Sequence, residues 1–393
     1  MEEKMNYNEK ANPNRGRKPF RTLFIAVVIG IFCILTVASP SQVKPEKPTV
    51  QIAVLLDTSN SMDGLIDQAK TQLWKIVNEM ATAKKDGLRP KLEVALFEYG
   101  NDGLPALEGH IRLVVPLSED LDKISDELFR LKTNGGSEYC GQVIQKAARV
   151  LQWSPNNTNL KMIFIAGNEE FTQGGIDYTS SCKEAIGKGI IINTIFCGNF
   201  QEGVSTKWKD GADLADGKYM NIDQNQKIVD VVAPQDKELL ALGQQLNKTY
   251  VAYGKGGSQR KEMQVAQDSN AGAMNNQTAV ERTYTKASAN YSNVSWDIVD
   301  AKKDGKVKVE EMDESLLPEE MKKMTKEQRK AYIEKKEKER AEIQAKINKL
   351  KQERDKYVAA EQKKLAGENT LDAAIINAVK EEAKKKNYTF EKK

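Results

Sequence analysis

Asp57, Ser59 and Ser61 stand at alternate positions directly after an apolar run, in the stretch VQIAVLLDTSNSM from Val50 to Met62. One carboxylate and two hydroxyls held in a single tight loop are hard oxygen donors of the kind Mg²⁺ prefers. Water or a partner's carboxylate would fill the remaining positions. The same residue types have a plainer use, because Asp and Ser at a strand-to-helix turn commonly satisfy backbone groups.

Other chemistry is sparse. His110 is the single histidine, which excludes multi-His metal sites and most His-based mechanisms, and no Cys-x-x-Cys pair suggests structural zinc. Glu138, Glu169 and Glu170 form an acidic group along the sequence, but no nucleophile–base constellation accompanies them. Such acids read as outer-shell groups of a metal site or as solvated surface, so the expectation is a non-enzymatic protein. A net charge of +4 over 393 residues is too small to argue for nucleic-acid binding.

The elements that must position the oxygens follow from hydrophobic period. Val50 to Leu56 reads as a fully buried strand, and Ile76, Val77 and Met80 close a helical face that begins at Leu65. Strands are expected at 91–99, 111–117, 161–166, 190–197 and 218–222. Helices are expected at 119–131, 141–151, 181–187 and 237–253. Strands alternating with helices over 49–254 imply an α/β fold, a doubly wound, mostly parallel sheet covered on both faces.

Two further regions follow. Residues 255–317 are rich in Gln, Asn, Ala, Ser and Gly and read as a linker, with a short hairpin suggested by Trp296 to Val299 and Val307 to Val309. Residues 318–393 read as a charged helical arm, solvated and laced with pairs such as Glu334 with Lys338. Ile343, Ile347, Leu350 and Tyr357 fall on a seam that Arg354 interrupts, so a short coiled-coil contact is the most that this pattern supports.

At the other end, residues 1–22 carry Arg15, Arg17, Lys18 and Arg21 ahead of an uncharged apolar run over 23–38 (LFIAVVIGIFCILTVA). This run reads as a transmembrane anchor or a signal sequence, with residues 39–48 as an extended tether. The basic flank stays in the cytoplasm, placing the rest on the periplasmic or exterior side of the inner membrane, or secreted if the run is cleaved. In that oxidising setting Cys140 and Cys182, each near a helix start on one rim of the sheet, are candidates for a disulfide; two free thiols are the alternative. Cys197 reads as a buried apolar residue.

The order of elements and the Asp57-x-Ser59-x-Ser61 loop resemble a von Willebrand factor type A (VWA) domain and the metal-ion-dependent adhesion site (MIDAS) of that family. The resemblance implies that Ser59 and Ser61 coordinate a cation directly while Asp57 holds its water shell. It makes Ser137, after Gly135-Gly136, the second-loop ligand where the family usually has Thr. The third loop departs: Ile165-Ala166-Gly167 puts Gly167 where the family has an Asp ligand, leaving Asn168 or Glu169 to reach the site. The stretches AGNEEFTQG, IINTIFCG and LLALGQQLNKTYVAYG are similar to a bacterial subgroup of these domains without an established activity.

The resulting expectation is a membrane-anchored module that binds a partner protein through Mg²⁺ (or Mn²⁺ or Ca²⁺) and an acidic side chain of that partner. The rival expectation is a scaffold in an envelope assembly that acts through its C-terminal helices, with a metal-free VWA domain.

Overall fold

A computed structural model describes residues 47–62, 66–80, 82–222, 231–365 and 371–390. The apolar run at 23–38, its basic flank and most of the tether lie outside the described residues. Among the described residues no helix is long and apolar enough to cross a membrane.

The first half runs β1 (Thr49–Asp57), α1 (Ile66–Met80), β2 (Ala83–Lys84), β3 (Lys91–Tyr99), β4 (Ile111–Ser118), α2 (Leu121–Arg130), α3 (Cys140–Val150), β5 (Leu160–Gly167), α4 (Tyr178–Gly187), β6 (Ile190–Phe196), α5 (Phe200–Ser205), α6 (Trp208–Asp213) and β7 (Tyr219–Asn221). Six of these strands form one sheet in the order β4-β3-β1-β5-β6-β7. All pairings are parallel except β3 with β4. The expected doubly wound α/β sheet is therefore present, with its strand order reversing at β1.

Strand alternation sends side chains to two cores. Val50, Ile52 and Leu56 face one side, with Trp74 and Val77 of α1 and Leu121 and Ile124 of α2. Ala53 and Leu55 face the other, with Val143 of α3 and Ala185 of α4. A strand buried on both faces has no polar alternation, which is why β1 and β5 read as continuous apolar runs.

The second half runs α7 (Asp236–Asn247), α8 (Gly257–Met274), α9 (Asn276–Ala287), α10 (Ile298–Lys303), α11 (Glu319–Lys322), α12 (Lys326–Leu365), α13 (Leu371–Lys385) and β8 (Thr389–Phe390). Three expectations from sequence are corrected here. The stretch read as a linker is helical and buried: Val280, Tyr284 and Ala287 of α9 belong to the core over α1. Where a hairpin was expected, Asp297 makes a single bridge with Ala252 and then caps α10. The charged arm does not stand free, because Ile347 of α12 and Val379 and Ala383 of α13 are buried in the same core.

The coiled-coil seam is thus filled by the protein's own helices. Arg354, its apparent interruption, is buried and donates from Nε to Asp236 Oδ1 at 2.5 Å. β8 closes this layer by pairing antiparallel with β2. Residues 46–393 form one compact unit.

Candidate metal centre

Asp57 is the last residue of β1, and its neighbours across the sheet are Tyr99 at the end of β3 and the Ala166–Gly167 end of β5. It therefore lies at the carboxyl edge of the parallel strands, beside the place where strand order reverses and open α/β sheets bind ligands. The chain leaves β1 through Thr58, whose N–H donates to Tyr99 O at 2.9 Å, and enters a 3₁₀ turn at Asn60–Met62. That turn folds Ser59 back, so its N–H donates to Asp57 Oδ1 at 2.7 Å. The serine hydroxyls then meet, with Ser59 Oγ 2.8 Å from Ser61 Oγ.

The second loop, between α2 and α3, is knitted to the first. Asn134 N–H donates to Thr58 O at 3.0 Å, and Asp102 N–H donates to Gly135 O at 3.0 Å. Gly136 sits at φ 141° with its α-carbon against the Gly100 carbonyl, a backbone approach that leaves no room for a side chain. The residue this loop delivers to the centre is Glu138. It is 5% exposed and lies beside Asp57: Glu138 Cγ and Asp57 Oδ1 stand 2.9 Å and 2.6 Å from the point where a side chain on Gly100 would begin. Ser137 is half-buried.

The third loop follows β5. Gly167 is packed from above: a Cβ there would stand 2.6 Å from the Tyr99 hydroxyl and 3.1 Å from Asp57 Oδ2. Tyr99, which itself donates to Ala166 O at 3.0 Å, occupies the space an acidic side chain would need. Asn168 turns to the first loop: its Oδ1 accepts from Ser61 Oγ at 2.9 Å, and its Nδ2 donates to Ser61 O at 3.2 Å. Glu169 is half-buried, and its charge acts on both Asp57 and Glu138.

The first-loop set expected from sequence, Asp57, Ser59 and Ser61, is brought together, and Asn168 joins it as a clamp on Ser61. Glu138 is the member that sequence reasoning left as an outer-shell group of the metal site or as solvated surface. Its only sequence signal was its place directly after the Gly-Gly-Ser loop.

Electrostatically the centre is short of positive charge. Burial lifts Asp57 from the usual carboxylate range to about 7; hydrogen bonds from Ser59 act against this, and Glu138 and Glu169 push it further up. Burial, then the charge of Glu169, lifts Glu138 to about 7 as well. Asp57 is fully buried, and its Oδ2 has no hydrogen-bond partner among the described residues.

Hydroxyl protons are also too few. Ser61 donates to Asn168, so the one Ser59 hydroxyl proton goes to Ser61 Oγ and none reaches Asp57 Oδ2. An orphaned buried carboxylate oxygen among surplus acceptors fits a hard divalent cation. Among the described residues no three His, Cys, Asp or Glu side chains converge to hold a metal alone. A cation here would have to draw on the serine hydroxyls of Ser59 and Ser61 as well as on a carboxylate.

The expected disulfide is not formed. Cys140 and Cys182, on the facing helices α3 and α4, are both buried free thiols, as is Cys197. Cys140 Sγ lies 3.8 Å from the Tyr99 hydroxyl, so that side chain serves the packing beneath the centre.

Residues 51–207 match the family model of the von Willebrand factor type A domain, and the chain carries such a domain there. No curated protein matches the chain. Among solved structures, BatB from Bacteroides thetaiotaomicron is 18% identical with a TM-score of 0.34, over 44% of this chain and 90% of that one. An aerotolerance-related membrane protein from Bacteroides fragilis is 16% identical with a TM-score of 0.29, over 44% and 92%. A mussel byssus protein, proximal thread matrix protein 1, described with a zinc-occupied MIDAS motif, is 10% identical with a TM-score of 0.34, over 46% and 43%.

Proposed function

We propose that this chain is a non-enzymatic binding protein whose sheet rim takes a divalent cation, Mg²⁺ or Mn²⁺, and uses that loaded rim to hold a partner protein. The observation that carries the reading is the orphaned Oδ2 of fully buried Asp57 at the carboxyl edge of the strands, in a loop that also pairs the hydroxyls of Ser59 and Ser61. A cation there supplies the positive charge that the loops lack.

The rim also offers contact surface. Leu107 stands fully exposed on the loop after β3, whose base is tied to the second loop through Asp102. Phe200, nearly half exposed, opens α5 after β6 on the same edge. Exposed apolar groups around a charged centre suit association with another protein. In this reading the apolar run at 23–38 anchors the chain in the inner membrane with the rim on the periplasmic or exterior side.

Calorimetric titration of Mg²⁺ and Mn²⁺ into the full-length chain, with Asp57→Ala as control, tests the proposal. Saturable binding lost in the variant is expected. A folded wild type that binds neither ion would sink the cation-dependent reading.

A further inference from the structure

We propose that Glu138 is an internal ligand of this centre: its carboxylate, not Ser137 or an acidic side chain of a partner, completes the oxygen shell around the cation. The proposal rests on the cation-binding reading above and names the residue that closes the site.

Three observations place Glu138 there. The second loop sets the residue beside the first loop, and it is 5% exposed. It also faces Asp57. Glu138 Cγ lies 2.9 Å, and Asp57 Oδ1 2.6 Å, from the point where a side chain on Gly100 would begin. Only glycine at 100, at φ 75°, lets the two acids approach. Finally, the charged groups that act on this pair are further carboxylates, Glu169 on both acids and Asp102 on Glu138. Two buried carboxylates pressed by further carboxylates are costly, and Asp57 Oδ2 has no hydrogen-bond partner among the described residues.

A divalent ion between Asp57 and Glu138 neutralises both. Glu138 then occupies the seat that the family resemblance assigns to a partner's acid. The cation binds without any partner, and an incoming carboxylate has to displace Glu138 before it can reach the ion.

Mn²⁺ binding to the full-length chain, followed by calorimetry and by the Mn²⁺ electron paramagnetic resonance signal, tests this. Glu138→Ala is expected to weaken Mn²⁺ by about tenfold or more, while Ser137→Ala stays within about twofold of wild type. Acetate should restore Mn²⁺ affinity to Glu138→Ala and leave wild type unchanged, because only the variant has an open seat. Glu138→Gln keeps the side-chain shape, and its loss of affinity with an unchanged circular dichroism spectrum separates ligand loss from misfolding.

Glu138→Ala and Glu138→Gln both binding Mn²⁺ like wild type would overturn the assignment while leaving the cation-binding reading intact. Wild type binding no Mn²⁺ would remove both.

Discussion

Arg340, in the first half of α12, closes on Asp297, the residue that caps α10, with Nη1 2.7 Å from Oδ2 and Nη2 3.2 Å from Oδ1. Both are buried, and the guanidinium lies 4.0 Å over the Tyr250 ring. Asp297 Oδ1 also accepts from Val251 N–H at 2.7 Å, so one ion pair fastens α12, α10 and the segment after α7 together. Removing one partner of such a pair leaves the other buried and uncompensated. Arg340→Met is therefore expected to cost about 3–5 kcal/mol in urea unfolding. The Arg340→Met/Asp297→Asn double variant should regain part of that loss. A cost under about 1 kcal/mol for the single variant would mean that the pair does not secure the helices.

The same packing predicts that the VWA domain does not stand alone. Ile347, Val379, Ala383 and Tyr388 complete the core that α1 and α9 begin. A chain stopped after Gly254 exposes that apolar face and is expected to aggregate or bind a hydrophobic dye, where residues 46–393 elute as a folded species. A well-folded short fragment, judged by gel filtration and a cooperative thermal transition, would refute this and return the helices to the role of a separate arm.

Asp57 and Glu138 give the centre a pH signature. In an unfolded chain both titrate near 4, and in the fold both are raised to about 7. The folded state therefore binds more protons between those limits. The associated stability is fully present below pH 4 and is lost as pH rises through 7. In EDTA, Asp57→Asn should raise Tm relative to wild type at pH 7.5, with the gap closing toward pH 4.5. Saturating Mn²⁺ should reverse the order at pH 7.5, because the ion takes over from the proton. A Tm difference independent of pH would show that Asp57 does not carry the buried charge.

The strands and the first ligand loop were legible in the sequence because β1, β3, β5 and β6 are largely buried on both faces and appear as mostly apolar runs broken by single polar residues such as Gln51, Glu93, Lys161 and Asn193. The layer over α1 was not, because its buried positions are polar. In α8, Gln264 donates to the Tyr291 hydroxyl and Gln267 to Asp126 Oδ1. In α9, Arg282 pairs with Asp122, and Lys286 with Asp268. A helix that buries Gln, Thr, Arg and Lys through paired hydrogen bonds leaves no hydrophobic period to read. Arg354 misled for the same reason, since a buried Arg–Asp pair looks like a solvated break in a seam. Glu138 was hidden differently: an acid after Gly-Gly-Ser is ordinary until its partners are known.

Gly167 is where the chain departs from the family's third-loop Asp, and the structure makes the cause steric. A Cβ at 167 meets the Tyr99 hydroxyl at 2.6 Å, Trp208 Cη2 at 3.0 Å and Asp57 Oδ2 at 3.1 Å, all of them buried. Gly167→Ala alone is therefore expected to destabilise by about 1–3 kcal/mol, the range for an overpacked core. Tyr99→Phe removes the nearest of these atoms at the cost of its hydrogen bond to Ala166 O. Tyr99→Phe and Gly167→Ala should therefore cost less together than the sum of their separate effects, a coupling that a double-mutant cycle reads directly. Gly167→Asp, which restores the family's acid, should not tighten Mn²⁺, because Tyr99 and Trp208 block the route from that position and Glu138 already supplies the carboxylate from the opposite loop. Tighter Mn²⁺ binding by Gly167→Asp with unchanged stability would show instead that the third loop has room for a ligand that this chain has given up.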